Sequence, residues 1–257
     1  MPNPTAKDTP RILVTGGAGY IGSHTVVDLV EQGYEPVIVD DFSNSDRGVL
    51  TGIERICGRP VACHALDCRD RAALSRVFEE AGPIAGAIHF AAFKAVGESQ
   101  ERPLDYYDNN LGSLSSLLSV MREHGVRDLV FSSSCTVYGQ PEDLPVTEET
   151  PIAEPASVYG ATKQIGEQIL RDVVMSGAPH RVTLLRYFNP IGAHPSAEIG
   201  ELPIGPPQNL VPIVLQSAAG LRGPGQIYGD DWSTPDGTSN GFKSRGRVEL
   251  RRTLESA

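Results

Sequence analysis

The chain has no apolar run long enough to cross a bilayer, so its sequence offers no membrane-spanning helix. Cysteine is scarce. Cys57, Cys63, Cys68 and Cys135 show no CxxC spacing, which fits reduced structural thiols better than disulfides or zinc. A cytoplasmic chain without a metal is the expectation. Basic residues are few, 22 Lys and Arg against 32 Asp and Glu, and the net charge of −10 argues against nucleic acid or an anionic membrane as the main partner. The opening Met-Pro-Asn-Pro-Thr-Ala-Lys-Asp-Thr-Pro lacks the apolar core of a signal peptide and the pattern of a helix, so residues 1–10 read as a flexible leader. No internal repeat is evident. What is present is a chain of 257 residues, 40% hydrophobic, which is enough to bury a sizeable core.

That core is organised around Arg11–Ser23. Ile12-Leu13-Val14 has the apolar run of a buried parallel strand, and Gly16, Gly19 and Gly22 follow at intervals of three. A helical pattern then carries Ile21, Val26, Val27, Leu29 and Val30. Strand, glycine turn and helix in this order make a phosphate cradle. Backbone N–H groups approach a pyrophosphate closely, and the helix N-terminus adds partial positive charge. The next apolar run, Val37-Ile38-Val39, ends in Asp40, about 20 residues beyond the glycines, where a dinucleotide fold grips a ribose hydroxyl. No basic residue directly follows Asp40 to hold a 2′-phosphate, so NAD is favoured over NADP.

Strand and helix patterns keep alternating. A helix is expected around Val49–Cys57, a strand over Val61–Leu66 ending at Asp67, a helix over Arg71–Glu80 and a strand over Gly86–Phe90. This is the signature of an α/β protein with a Rossmann-type doubly wound parallel sheet. Tyr106–Glu123 carries Leu111, Leu114, Leu117, Leu118 and Met121 at helical spacing, a core stripe. Asp128–Phe131 reads as a strand running into Ser132-Ser133-Ser134. A helix begins near Tyr159, Arg181–Leu185 reads as a sixth strand, and a helix resumes over Asn209–Ala219.

Tyr159 and Lys163 lie four apart, hence on one helical face. A tyrosine with pKa near 10 is a poor base at neutral pH, but a neighbouring ammonium and a positive nicotinamide ring favour phenolate and lower that value. Such a tyrosine removes a proton from a substrate hydroxyl while hydride leaves the same carbon. Ser134, at a strand end, is placed to hydrogen-bond the same oxygen. These three are the candidate catalytic residues.

The strings Thr15–His24, His89–Ser99, Tyr106–Asn110, Phe131–Gly139, the Tyr159/Lys163 pair and Leu185–His194 together resemble the extended short-chain dehydrogenase/reductase family and, within it, the UDP-glucose 4-epimerases (UDP-galactose 4-epimerases). The resemblance implies an NAD site lined by Tyr20, Ile21, Asp40, Asp41, Phe42, Ser43, Asn44, Ser45, Asp67, Cys68, Phe90, Ala91, Ala92, Phe93, Lys94 and Asn109, besides the glycines and Ser134. Lys163 would hold the nicotinamide ribose, and Phe188 would pack near the cofactor. Lys94, Ser134, Tyr159, Asn189, Asn209 and Leu210 would meet the UDP-sugar. On residue chemistry alone, Phe90 and Phe188 equally fit core, Lys94 a solvated lysine, and Asp67 a helix cap. The implied reaction interconverts UDP-glucose and UDP-galactose at C4 through a 4-keto sugar nucleotide, with NAD regenerated. The alternatives are an inactive NAD-binding module and another nucleotide-sugar enzyme such as a 4,6-dehydratase. The dehydratase would need an acid pair where Cys135-Thr136 stands. Helices such as Tyr106–Glu123 and Tyr159–Met175 form a dimer face in related enzymes, and a homodimer is implied, although buried core explains them equally well.

After Thr238 the family's Arg-Asp-Tyr-Ile-His string and its C-terminal substrate domain do not follow. Residues 239–257 carry five basic residues and two acids, match nothing in the family, and suggest an alternative or frameshifted end. The expected organisation is a leader over 1–10, an NAD-binding Rossmann domain over 11–190, the start of an incomplete substrate-binding region over 191–238, and a basic tail over 239–257.

Overall fold

The computed structural model describes residues 9–141, 144–207 and 209–224. The expected leader, apart from Thr9 and Pro10, and the expected basic tail lie outside the described residues. Six strands form one parallel sheet: β1 (Arg11–Thr15), β2 (Glu35–Asp40), β3 (Ala62–Ala65), β4 (Ile84–His89), β5 (Asp128–Ser134) and β6 (Arg181–Tyr187). Their order is β3-β2-β1-β4-β5-β6. The chain thus winds one way from β1 and then the other. This leaves a crevice outside the carboxyl ends of β1 and β4, where the order reverses.

The helices are α1 (Tyr20–Glu31), α2 (Gly48–Cys57), α3 (Arg71–Ala81), α4 (Val96–Glu101), α5 (Pro103–Glu123), α6 (Val158–Met175) and α7 (Leu210–Ala218). Local chemistry sets several boundaries. Asp70 caps α3 by accepting from Ala73 N at 2.9 Å, and Ser157 caps α6 by accepting from Gly160 N at 3.0 Å. Pro103 opens α5, where its missing N–H costs nothing. The leucine stripe of α5 is core, as its spacing predicts: Leu114, Leu117, Leu118 and Met121 are buried with Leu13, Leu129 and Phe131. A second cluster on the other sheet face joins Val14, Val26, Ile38 and Ile53.

Two elements depart from the sequence reading. The helix α4 has one apolar residue and a glycine in six positions, so no period announces it. A 3-10 turn over Cys135–Tyr138 follows β5 directly, with Ser134 accepting from Thr136 N. Strands β5 and β6 also run further than expected, because Ser132, Ser133 and Ser134 pair in register with Leu185, Arg186 and Tyr187.

The last two strands are locked to α6 by buried charge. Glu167 is completely buried and accepts from Ser133 Oγ at 2.6 Å. Arg186 on β6 forks onto the same carboxylate, Nε to Oε1 at 2.9 Å and Nη2 to Oε2 at 2.8 Å. Arg171 adds a third cationic contact at 2.9 Å, and Arg186 also reaches Tyr138 Oη at 3.0 Å. The arginines and the serine hydroxyl hold the Glu167 carboxyl below its usual value against the opposing effect of burial. Removing a buried charge partner typically costs about 3–5 kcal/mol. Glu167→Ala is therefore expected to lower stability by about that amount, read as a lower urea midpoint at unchanged slope. A loss under about 1 kcal/mol would contradict the role given to this network.

Candidate active site

The crevice at the sheet's reversal point is a cleft of about 600 Å³. Its floor is the glycine turn. Gly16 has φ +69°, and a Cβ there would lie 2.7 Å from Ala91 N; one at Gly22 would lie 2.1 Å from Gly16 O. Neither position accepts a side chain, so the turn lies flat against β4 and the first turn of α1. Gly19 is the N-cap of α1 and supplies no capping side chain, and the first turn holds no acid. The helix therefore presents free N–H groups and partial positive charge to the cleft, the arrangement that receives a pyrophosphate.

Asp40, buried at the end of β2, braces this floor. Its Oδ2 accepts from Ala18 N at 3.0 Å, and its Oδ1 accepts from Phe42 N and Ser45 Oγ, both at 2.9 Å. The carboxylate joins the glycine turn to the loop after β2, and both lie on the cleft wall. Asp67 is not a helix cap, since Asp70 fills that position. Arg69 instead grips Asp67 through Nε at 2.9 Å and Nη2 at 2.6 Å and also contacts Asp108 of α5. Those bonds hold the Asp67 carboxyl below its usual range.

At the other end of the cleft, α6 delivers one polar side chain per turn onto the serine run of β5. Tyr159 shares the cleft with Ser134, Lys163 Nζ donates to Ser132 O at 2.6 Å, and Glu167 accepts from Ser133 Oγ. Lys163 is buried, lies 5.0 Å over the Phe131 ring and 5.8 Å from the Tyr159 ring centroid, and burial pulls its pKa down to about 8. The ammonium and a positive nicotinamide ring together are expected to lower the tyrosine pKa. In this structure the phenol is raised, because burial outweighs the Ser134 hydrogen bond that favours phenolate. An ammonium at that distance does not offset burial.

Most of the sequence-derived candidates share this one cleft. Gly16, Gly19, Tyr20, Ile21, Gly22, Asp40, Asp41, Ser43, Asn44, Ser45, Asp67, Cys68, Phe90, Ala91, Ala92, Phe93, Lys94, Asn109, Ser134, Tyr159, Lys163, Phe188, Asn189 and Asn209 all line it. Phe42 and Leu210 do not. Phe42 sits at φ +59° with Arg47 stacked 4.1 Å over its ring, and Leu210 is 73% exposed at the start of α7. Phe90 and Phe188 are both core and lining, packing on separate apolar clusters while facing the cleft. Lys94 is exposed, 3.8 Å from Glu201.

Two further residues escaped the sequence reading although they stand in the strings quoted for it. Tyr187 lines the cleft at the end of β6, and its buried hydroxyl has no hydrogen-bond partner among the described residues. Burial pushes its pKa up to about 12. Asn110 fixes the loop after β4: its Oδ1 accepts from Phe93 N at 2.8 Å, and its Nδ2 donates to Phe93 O at 3.1 Å and Thr162 Oγ1 at 3.0 Å. The uncapped helix end, the glycine floor and this orphaned hydroxyl fit a dinucleotide in the cleft. Asp40→Ala unlaces the floor and is expected to weaken NAD binding at least tenfold by fluorescence titration. Unchanged affinity would remove Asp40 from the site.

The NAD dependent epimerase/dehydratase family model matches residues 12–220. The UDP-glucose 4-epimerase of Dictyostelium discoideum is 50% identical over 228 residues, covering 89% of this chain and 66% of its own length. That of Yersinia pestis is 50% identical over 227 residues, covering 88% and 67%. Among solved structures, the UDP-glucose 4-epimerase of Bifidobacterium longum in complex with NAD+ and UDP matches with TM-score 0.86 at 50% identity, over 89% of this chain and 68% of that one. The chain thus spans about two thirds of the length of the relatives it matches.

Proposed function

The chain belongs to the NAD dependent epimerase/dehydratase family, and from that premise we propose that it interconverts UDP-glucose and UDP-galactose at C4 through a transient 4-keto sugar nucleotide. The observation that carries the reading is the placement of Ser134, Tyr159 and the buried Lys163, held by Ser132 O, on one cleft with the glycine floor. Names of relatives at 50% identity and the NAD+ and UDP in one matching structure support the same substrate class.

Tyr159 is the proton acceptor for the C4 hydroxyl, and Ser134 shares that proton's path. Lys163, held by Ser132 O, places positive charge below the phenol and beside the expected position of the nicotinamide ribose. Bound NAD supplies a reversible hydride acceptor and a positively charged ring. Because the chain's own burial raises the Tyr159 pKa, proton removal depends on that added charge. Asn189 and Asn209 on the cleft wall are suited to hold the nucleotide while the keto sugar turns over. A 4,6-dehydratase is disfavoured by Cys135-Thr136 in place of an acid pair.

Exposed Leu104 on α5 and Ile165, Val174 and Met175 on α6 support a homodimer built on these two helices. The four free thiols support a reducing, cytoplasmic setting. Purified chain supplied with NAD is expected to convert UDP-galactose to UDP-glucose, and Tyr159→Phe to lose at least a thousandfold in turnover while keeping NAD. Undiminished turnover in that variant would overturn the assigned base. No turnover from NAD-loaded parent chain would leave an NAD-binding module in place of an enzyme.

A further inference from the structure

Residues 191–201 follow β6 and cross the cleft, although no pattern in their sequence ties them to the nucleotide half. Their two ends are joined by a bridge between Ala193 and Gly200, and a tight turn places His194 N on Ile199 O at 3.0 Å. Ile199 is only 4% exposed and belongs to the apolar cluster of Val14, Val26, Ile38 and Ile53, beneath the glycine turn. Its seat is Gly52 of α2. A Cβ at Gly52 would lie 2.4 Å from Glu198 O and 3.0 Å from Ile199 Cγ2, so only a bare backbone lets the segment dock there. Outside the seat, Glu198 pairs with Arg55 one turn further along α2 at 3.1 Å.

The remaining contacts carry the segment across the sheet's reversal point. Tyr20, the first residue of α1, donates from its hydroxyl to Gly192 O at 2.7 Å, directly over the helix N-terminus. Glu201 reaches to Lys94, which follows β4 on the opposite side, and also contacts Asn209. One end is thus seated on the β2 side and the other bonded on the β4 side. Glu198, Ile199, Gly200 and Glu201 line the cleft between them.

We propose that residues 191–201 are a strap that retains the dinucleotide, with Gly52 and Ile199 as its anchor and Tyr20 and Glu201 as its two cross-ties. This rests on the NAD-binding reading of the cleft and goes beyond it. A cofactor whose pyrophosphate lies at the start of α1 leaves only when the strap lifts from α2. The anchor therefore sets the release rate of the cofactor through the seat on α2. Gly52 and Ile199 are positioning residues here.

The test is the release rate of bound NAD, followed by displacement of a fluorescent NAD analogue from the preloaded chain. Gly52→Leu places a side chain in the strap's seat while remaining a favourable residue for a helix interior. It is expected to speed release at least tenfold. Ile199→Ala, which empties the seat without adding bulk, is expected to speed it about fivefold. It carries the test if Gly52→Leu does not fold. In both, the stoichiometry of bound NAD at saturation is expected to stay at the parent value. Release is counted per loaded molecule and compared with Val26→Ala, which loosens the same apolar cluster without changing a strap residue, and only release faster than in that control counts for the strap. Parent-like release from loaded variants would overturn the strap alone. A parent chain that binds no NAD would overturn the reading beneath it, and the strap with it.

Discussion

The carboxylate of Glu167, buried among Ser133, Arg171 and Arg186, is the interaction on which the reactive wall of the cleft depends. It fixes α6 in height and rotation against β5. Tyr159 and Lys163, two turns and one turn earlier on the same face, then arrive at Ser134 and Ser132. An anion without solvent is tolerable only with full pairing, and here one serine and two guanidinium groups supply it. The same arginine reaches Tyr138 in the turn after β5, so strand, turn and helix are set by one charge cluster.

The cleft's electrostatics follow from that packing. Burying Lys163 brings its pKa to about 8, and burying Tyr159 raises the phenol. Each group is thereby moved towards its neutral form, as desolvation requires. The pair alone is a poor base. In the proposed reaction the pair would draw on positive charge brought to the neighbouring space, which would couple proton transfer to an occupied cofactor site.

Much of this was legible in the sequence because the signals were local. Gly16, Gly19, Gly22 and Asp40 sit at fixed offsets from an apolar strand, and the period of α5 announced its buried face. Tyr159 and Lys163 are one helical turn apart. What stayed hidden depends on contacts remote in sequence. Ile199 reads as one apolar residue in a polar loop until α2 offers it a seat at Gly52. The pairing of Glu167 with Arg186 spans two elements that no short window joins. Sequence shows the ammonium of Lys163 beside Tyr159 but not the burial that raises the phenol against it. Phe42, named by position in a run of lining residues, is turned onto Arg47 by a positive φ that its own string does not announce.

The most direct measurement is the ionisation of Tyr159 itself, followed by ultraviolet difference titration of the parent chain against Tyr159→Phe, with and without NAD. The account predicts a tyrosine titrating above its ordinary value in the free chain and moving down by more than one pH unit when NAD is bound. The signal should be absent from the variant. A Tyr159 that titrates at the same pH with and without NAD would contradict the claim that this cleft is built to make its base only when the cofactor is in place.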